Sequence, residues 1–106
     1  MEMNRTAVLY LRHDDGLPSL AEQRRICREY AEREGLDVIT VYEDVGSPEP
    51  FENLPGFQRL LNSGKELGAR NVVCLSEAVL SDDKHDRLLR RVELKGSFLR
   101  LFCVQE

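Results

Sequence analysis

Apolar and polar positions follow two different periods along the chain, and together they predict four strands and three helices. The predicted strands are short segments rich in β-branched and aromatic residues: Thr6–Leu11, Asp37–Tyr42, Asn71–Leu75 and Phe98–Val104. The first and third are nearly continuous apolar runs. Such runs are typical of parallel strands that are covered on both faces.

The first predicted helix has a recognisable start and end. Ser19 and Glu22 have the spacing of a capping box, and Gly35 lies where a helix ends. Apolar residues at helical spacing predict its buried face: Leu20, Cys27, Tyr30 and Ala31.

Two further helices follow the same logic. One begins near Pro55, because proline is favoured in the first turn. We expect it to bury Phe57, Leu60, Leu61 and Leu67. The other is capped around Ser81-Asp82-Asp83, where negative charge suits a helix N-terminus, and runs to Lys95. Its predicted buried face is Leu88, Leu89 and Val92.

The resulting β-α-β-α-β-α-β order predicts an α/β three-layer sandwich with a mostly parallel sheet, formed as one domain over residues 1–106. In such sheets ligands bind outside the carboxyl ends of the strands. Three loops should therefore hold any chemistry: His13–Pro18, Glu43–Leu54 and Ser76–Asp83.

Composition narrows the function classes. The chain has 106 residues, with 15 basic and 19 acidic side chains and a net charge of −4. This mild acidity argues against a protein that binds mainly to phosphate backbones, although it permits a local basic face. No apolar run approaches the length of a membrane span, and the N-terminus lacks a signal-peptide pattern. We therefore expect a cytoplasmic protein without membrane partners, in which Cys27, Cys74 and Cys103 are reduced core residues.

One segment resembles a known family. Tyr10-Leu-Arg12-His-Asp14-Asp15-Gly-Leu-Pro18-Ser19-Leu20-Ala-Glu-Gln23 aligns without a gap to the opening motif of serine recombinases, Tyr-x-Arg-Val-Ser-Thr-x-x-Gln-Ser-Leu-x-x-Gln. Further similarity lies at Val41–Asp44, Pro55–Leu61 and Leu80–Asp83. The resemblance to resolvases, invertases and large serine integrases implies a resolvase-like (Rossmann-like) fold.

The resemblance also implies a reaction. In that family a serine hydroxyl attacks a DNA phosphodiester and becomes linked to the 5′ phosphate until the strands are exchanged. Arginines at the strand ends neutralise the charge on the phosphoryl oxygens, and no metal or other cofactor is required.

The family's site residues are mostly replaced here. Asp14 stands at the position of the nucleophile, with Asp15 beside it, while Arg12 and Gln23 match the family. The mobile-loop arginine corresponds to Leu54. The Asp-Arg pair of the third motif corresponds to Ala78-Val79, and its later arginine corresponds to Asp82.

These replacements predict a recombinase fold without recombinase chemistry. An aspartate nucleophile would form an acyl phosphate, which water hydrolyses before the strands can be rejoined, and the acidic groups would repel a DNA phosphate. We expect a protein-interaction or regulatory module, or a mobile-element relic, that forms homo- or hetero-oligomers with recombinase-like chains. We expect no DNA-binding domain in this chain, and weak or absent DNA binding.

Two alternatives stay open. The first is an active DNA recombinase that uses Ser19, Ser47 or Ser81; only Ser47 lies in a flexible strand-end loop, and we expect no arginine near it. The second is a metal- or ligand-binding α/β module centred on Asp14 and Asp15, since small carboxylate clusters suit Mg²⁺.

Structural roles compete with these functional ones. Arg12 lies on an apolar strand, so we expect an ion pair with a nearby carboxylate such as Asp14 or Asp15. We expect Gln23 to form a hydrogen bond to the loop after the first strand. His13 and His85 are isolated and should be exposed.

Overall fold

A computed structural model describes residues 5–47 and 54–105 of the chain. Its elements in chain order are β1 (Thr6–His13), α1 (Leu20–Arg33), β2 (Asp37–Val45), α2 (Pro55–Leu67), β3 (Asn71–Cys74), a 3-10 turn (Glu77–Val79), α3 (Lys84–Gly96) and β4 (Arg100–Cys103). The predicted element order is confirmed. The first two strands are longer than predicted. Arg12 lies on β1 as expected, whereas Asp44, which the prediction places in a loop, lies on β2.

The four strands form one parallel sheet in the order β2-β1-β3-β4. Strand β1 lies between β2 and β3, and six of its eight residues are buried, as the apolar run predicts. All four residues of β3 are buried too. The predicted α/β class with a parallel sheet is confirmed.

Helices cover both faces of the sheet. Leu9, Val73 and Phe102 are register partners across β1, β3 and β4, so their side chains share a face. The Phe102 ring lies against Tyr30 of α1. Tyr10 is the next residue along β1 and therefore points to the opposite face, where its ring meets Phe57 of α2 edge-on at 5.5 Å. The result is the predicted three-layer sandwich.

Helix α1 has the predicted boundaries. The Ser19 hydroxyl accepts a hydrogen bond from the Glu22 backbone N–H at 3.2 Å. Gly35 follows the helix at a φ of +70°, a conformation that glycine adopts without steric cost. Cys27 and Ala31 are fully buried, as the apolar spacing predicts.

The predicted buried face of α3 is wrong. Leu88, Leu89 and Val92 are exposed. The helix instead turns Asp86, Arg90 and Leu94 inward, at a spacing of four residues. The charged pair is accommodated because Arg90 Nε donates to Asp86 Oδ2 at 2.8 Å.

The buried face of α2 is predicted correctly except at its end. Phe57 and Leu60 are buried, and Leu61 is half-buried. Leu67 is exposed, because it is the last residue of the helix, before the left-handed Gly68 turns the chain away.

The three cysteines are free thiols. Cys27 and Cys74 are buried, and burial raises the pKa of the Cys27 thiol to about 12. Cys103 is half-buried, and its Sγ lies 3.7 Å from that of Cys74 on the neighbouring strand. Among residues 5–47 and 54–105, no helix is long and apolar enough to cross a membrane.

Candidate functional site

The candidate site lies where β1, β2 and β3 end. Arg12 is the register partner of Asp44, and His13 is that of Val45, so the first two strands end side by side. The loop after β2 is tied back to β1, because the Gly46 N–H donates to the His13 carbonyl at 2.8 Å. The segment after β3 reaches the same edge through the 3-10 turn.

Arg12 is the centre of this edge, and its side chain is fully buried. Its Nε donates to the Val79 carbonyl at 2.8 Å. The two terminal nitrogens donate to four more oxygens: the carbonyls of Gly46 and Ala78, and the carboxylates of Asp14 and Asp82. An arginine side chain has five N–H donors, so all of them are taken by protein oxygens.

The predicted ion pair of Arg12 therefore forms, and with two carboxylates rather than one. Arg12 lies 3.2 Å from Asp14 Oδ2 and 3.0 Å from Asp82 Oδ1. Asp15 is exposed, and only its backbone takes part, through an N–H that donates to Asp14 Oδ1.

Ser47 joins the same two carboxylates. Its hydroxyl lies 2.5 Å from Asp82 Oδ2 and is also hydrogen-bonded to Asp14. This contact with Ser47, together with the Asp15 N–H, lowers the pKa of Asp14 to about 2. We refer to Arg12, Asp14, Ser47 and Asp82 as the Arg12 cluster.

The expectation that no arginine lies near Ser47 is wrong. Arg12 donates to the carbonyl of Gly46, the preceding residue, and to both carboxylates that contact the Ser47 hydroxyl. Sequence separation hid this proximity, because Ser47 is 35 residues from Arg12 along the chain but shares two carboxylates with it where two parallel strands end.

Gln23 of α1 is hydrogen-bonded to the backbone at the end of β1. Its side-chain oxygen accepts from the Arg12 backbone N–H at 3.2 Å, and its Nε2 donates to the Arg12 carbonyl at 2.7 Å and to the Pro18 carbonyl at 2.8 Å. Both ends of the buried amide are occupied by backbone groups, as expected for a structural role.

The remaining motif positions lie at the rim or in the core. Leu54 is half-buried and precedes α2 without a side-chain capping bond. The Val79 side chain is fully buried in the core, and only its carbonyl reaches Arg12. His13 and His85 are exposed. Most of the loop between β2 and α2 lies outside the described residues.

Asp44 is a structural residue that the sequence analysis did not single out. Its buried carboxylate accepts from the Tyr10 hydroxyl at 2.7 Å and from the backbone N–H groups of Gly56 and Phe57 at 2.7 and 2.8 Å. Burial and the Asp44 carboxylate both raise the pKa of Tyr10. The sequence signal was the absence of a capping residue before Pro55, which implies a cap from elsewhere in the fold.

The two carboxylates of the cluster are bound by Arg12 and Ser47. Within the described parts of the chain, no three His, Cys, Asp or Glu side chains converge as ligands. Asp14 and Asp82 share one arginine and one hydroxyl, so the cluster is a network of ion pairs and hydrogen bonds.

The sequence matches a known protein family. The family described as "Resolvase, N terminal domain" matches residues 7–106. The chain belongs to this family. Since the match covers nearly the whole chain, this is a resolvase-like site-specific recombinase domain. No curated protein has a matching sequence.

Solved structures of serine recombinases share the fold. The N-terminal catalytic domain of TP901-1 integrase superimposes with a TM-score of 0.78 at 24% identity, over 93% of this chain and 76% of that one. The C-terminal catalytic domain of ISC1926 TnpA, an IS607-like serine recombinase, gives a TM-score of 0.77 at 18% identity, over 94% and 70%. A resolvase family site-specific recombinase from Streptococcus pneumoniae gives 0.74 at 19% identity, over 93% and 71%.

Proposed function

We propose that this resolvase-like domain does not cleave DNA and instead acts by associating with other protein chains, including recombinase-like chains. The observation that supports this proposal is the complete set of hydrogen bonds that the Arg12 side chain makes within the protein. It is the only arginine retained among the family positions, and protein oxygens take all five of its donors. Such an arginine has no donor left for a DNA phosphate.

Electrostatics supports the same proposal. Phosphoryl transfer relies on cations that stabilise charge on the phosphoryl oxygens, and one such donor typically contributes about 10²–10³ in rate. The Arg12 cluster combines one cation with two carboxylates, so its net charge is negative. An approaching DNA phosphate would be repelled where the family's reaction requires attraction.

Ser47 is the strongest candidate nucleophile for an active enzyme. Its hydroxyl contacts two carboxylates that could accept its proton, which is the arrangement of a nucleophile and its base. Asp14, whose pKa is lowered to about 2, is a poor base at neutral pH, however, because its affinity for a proton is low. An active enzyme with Ser47 as its nucleophile would also need a phosphate-binding cation, and the Arg12 cluster has none to spare.

A search for covalent DNA adducts tests the loss of catalysis. The full chain is incubated with supercoiled plasmid and with a pool of labelled genomic fragments, quenched with SDS and analysed on denaturing gels. We expect neither relaxed plasmid nor labelled protein, whereas an active serine recombinase on its own site serves as positive control. An adduct that disappears in Ser47→Ala would contradict the proposal and assign the nucleophile to Ser47.

The association is tested separately. The chain is mixed with the catalytic domain of an active serine recombinase and analysed by sedimentation velocity. We expect a mixed complex that changes the cleavage rate of the active partner. Two independently sedimenting monomers, with unchanged cleavage, would contradict association with recombinase-like chains.

A further inference from the structure

Exposed apolar side chains are concentrated on α3 and the turn that follows it. Seven large apolar side chains are exposed among the described residues, and four of them lie between positions 88 and 98. Val92 is 68% exposed and Phe98 is 80% exposed. Single exposed apolar residues are ordinary, but a contiguous group of them marks an interaction surface.

Three of these four side chains line a groove beside the edge of the sheet. Leu88, Val92 and Phe98, together with Leu101 of β4, form its apolar wall, and its volume is about 610 Å³. Within the described residues, β4 is an edge strand of the sheet, and the groove runs beside it. We call this feature the α3–β4 groove.

The polar residues of the α3–β4 groove are all basic. Arg91, Lys95 and Arg100 line it, and no acidic residue does so within the described parts of the chain. Arg91 also bonds to Glu77 outside the groove. This basic rim contrasts with the net charge of −4 for the whole chain, so it is a local feature.

Phe98 is held in a backbone conformation that opposes its side chain. Its φ of +60° makes it the only non-glycine residue in the left-handed region within residues 5–47 and 54–105. This position directly follows the helix cap, where glycine is favoured. A strained aromatic residue that is also exposed gains nothing from the core, and such strain is typically found at functional sites.

We propose that the α3–β4 groove binds a protein segment that carries large apolar side chains flanked by carboxylates. The apolar wall supplies contacts for the side chains, and the basic rim is complementary to the carboxylates. A second copy docked groove to groove would place basic rim against basic rim, and a DNA backbone would leave the apolar wall unused. The inference rests on the proposed role in protein association and names the partner's chemistry.

The test starts from a displayed library of random peptides, panned against the full chain. We expect enriched sequences that combine Leu, Ile, Phe or Trp with Asp or Glu. The strongest peptide is then synthesised with a fluorescent label and titrated by anisotropy. A version with lysine in place of each acidic residue should bind at least about tenfold more weakly, since the charge complementarity is reversed.

Variants of the chain locate the binding site. Phe98→Gly removes the exposed ring and relieves the backbone strain, so we expect binding at least about tenfold weaker together with a higher melting temperature. Lys95→Glu should weaken binding to a similar extent. Leu67→Ser and Arg59→Glu are the matched controls, because they change an exposed apolar and an exposed basic residue of α2, and both should bind as the original chain does.

Several outcomes would overturn the proposal. These are a failure to enrich peptides, peptides whose binding is unaffected by Phe98→Gly, a dimer of the chain that Phe98→Gly dissociates, and a DNA duplex that displaces the peptide. The tests also separate the two proposals. A covalent DNA adduct would contradict the proposed loss of catalysis, and peptide binding could still be measured. Peptides that bind the groove variants as tightly as the original chain would contradict only the proposed groove binding.

Discussion

Arg12 has five donors and five protein acceptors, so under the proposed function this motif residue holds the strand ends together instead of binding a phosphate. An arginine that binds phosphate must present donors to solvent, whereas this one is enclosed by the turn after β3 and by Asp14 and Asp82. The ion pair was predictable because a charge on an apolar strand requires a partner. The contribution of Ser47 was not, because it depends on how two strand ends meet.

Asp14 should make the stability of the domain depend on acid pH. Its folded pKa of about 2 lies below the roughly 3.9 of an unfolded aspartate, so the folded state binds fewer protons. The stabilisation is therefore complete above about pH 4 and is lost as the pH falls towards 2. Urea unfolding midpoints measured between pH 5 and pH 2 should decrease.

Two variants isolate this contribution. In Asp14→Asn the urea midpoint should decrease less between pH 5 and pH 2 than in the original chain. Part of the decrease should remain, because the pKa of the N-cap residue Asp83 is also lowered. Asp15→Asn is the matched control, because it removes the neighbouring charge but leaves the Arg12 cluster intact, and it should keep the full decrease. Equal pH dependence in the original chain and in Asp14→Asn would show that Asp14 contributes nothing.

Helix α2 depends on a cap that comes from another element. Its N-terminus has no side-chain cap of its own, and Asp44 of β2 accepts the N–H groups of Gly56 and Phe57. Asp44→Ala would leave these groups and the Tyr10 hydroxyl without their partner. We expect the free energy of unfolding to fall by about 3 kcal/mol, measured by urea denaturation.

The control for this prediction lies on the same strand. Asp37 begins β2 and its side chain is exposed, so Asp37→Ala should change the free energy of unfolding by less than about 0.5 kcal/mol. An equally large loss in Asp37→Ala would mean that the effect of Asp44→Ala does not come from the cap that Asp44 provides. Close packing at the cap is also visible at Gly56, where an added Cβ would lie 2.6 Å from the Glu43 carbonyl.

Helix α3 shows where hydrophobic periodicity is misleading. Leu88, Leu89 and Val92 have the spacing of a buried face, but Asp86 and Arg90 occupy the inner face instead. The Arg90 guanidinium lies 5.0 Å from the centre of the Phe57 ring, so it packs as well as pairs. Hydrophobic periodicity considers each residue by itself. It therefore cannot predict that Asp86 and Arg90 are buried, because burial of each charge is favourable only when the two side chains form an ion pair.

At the level of the whole domain, the sequence predicted the architecture well. Element order, the parallel sheet and the two covering layers all follow from local signals, such as the apolar runs of β1 and β3 and the capping residue Ser19. The edge at the strand ends was less predictable. The hydrogen bonds at this edge join residues that are far apart in sequence. Whether the side chains of Arg12, Asp14 and Asp82 face solvent or each other depends on these hydrogen bonds, so it could not be predicted from local sequence.

Those contacts predict that no single substitution to a family site residue restores DNA cleavage. Asp14→Ser should fold but give no covalent DNA adduct, because Arg12 still donates to carbonyls and no phosphate-binding cation is gained. Val79→Arg places a charge in a fully buried position, so it should lower the free energy of unfolding by at least about 3 kcal/mol. Leu54→Arg, at a half-buried position, is the control and should be tolerated. Urea denaturation and the adduct assay measure both effects, and an adduct from Asp14→Ser alone would mean that the Arg12 cluster opens to bind DNA.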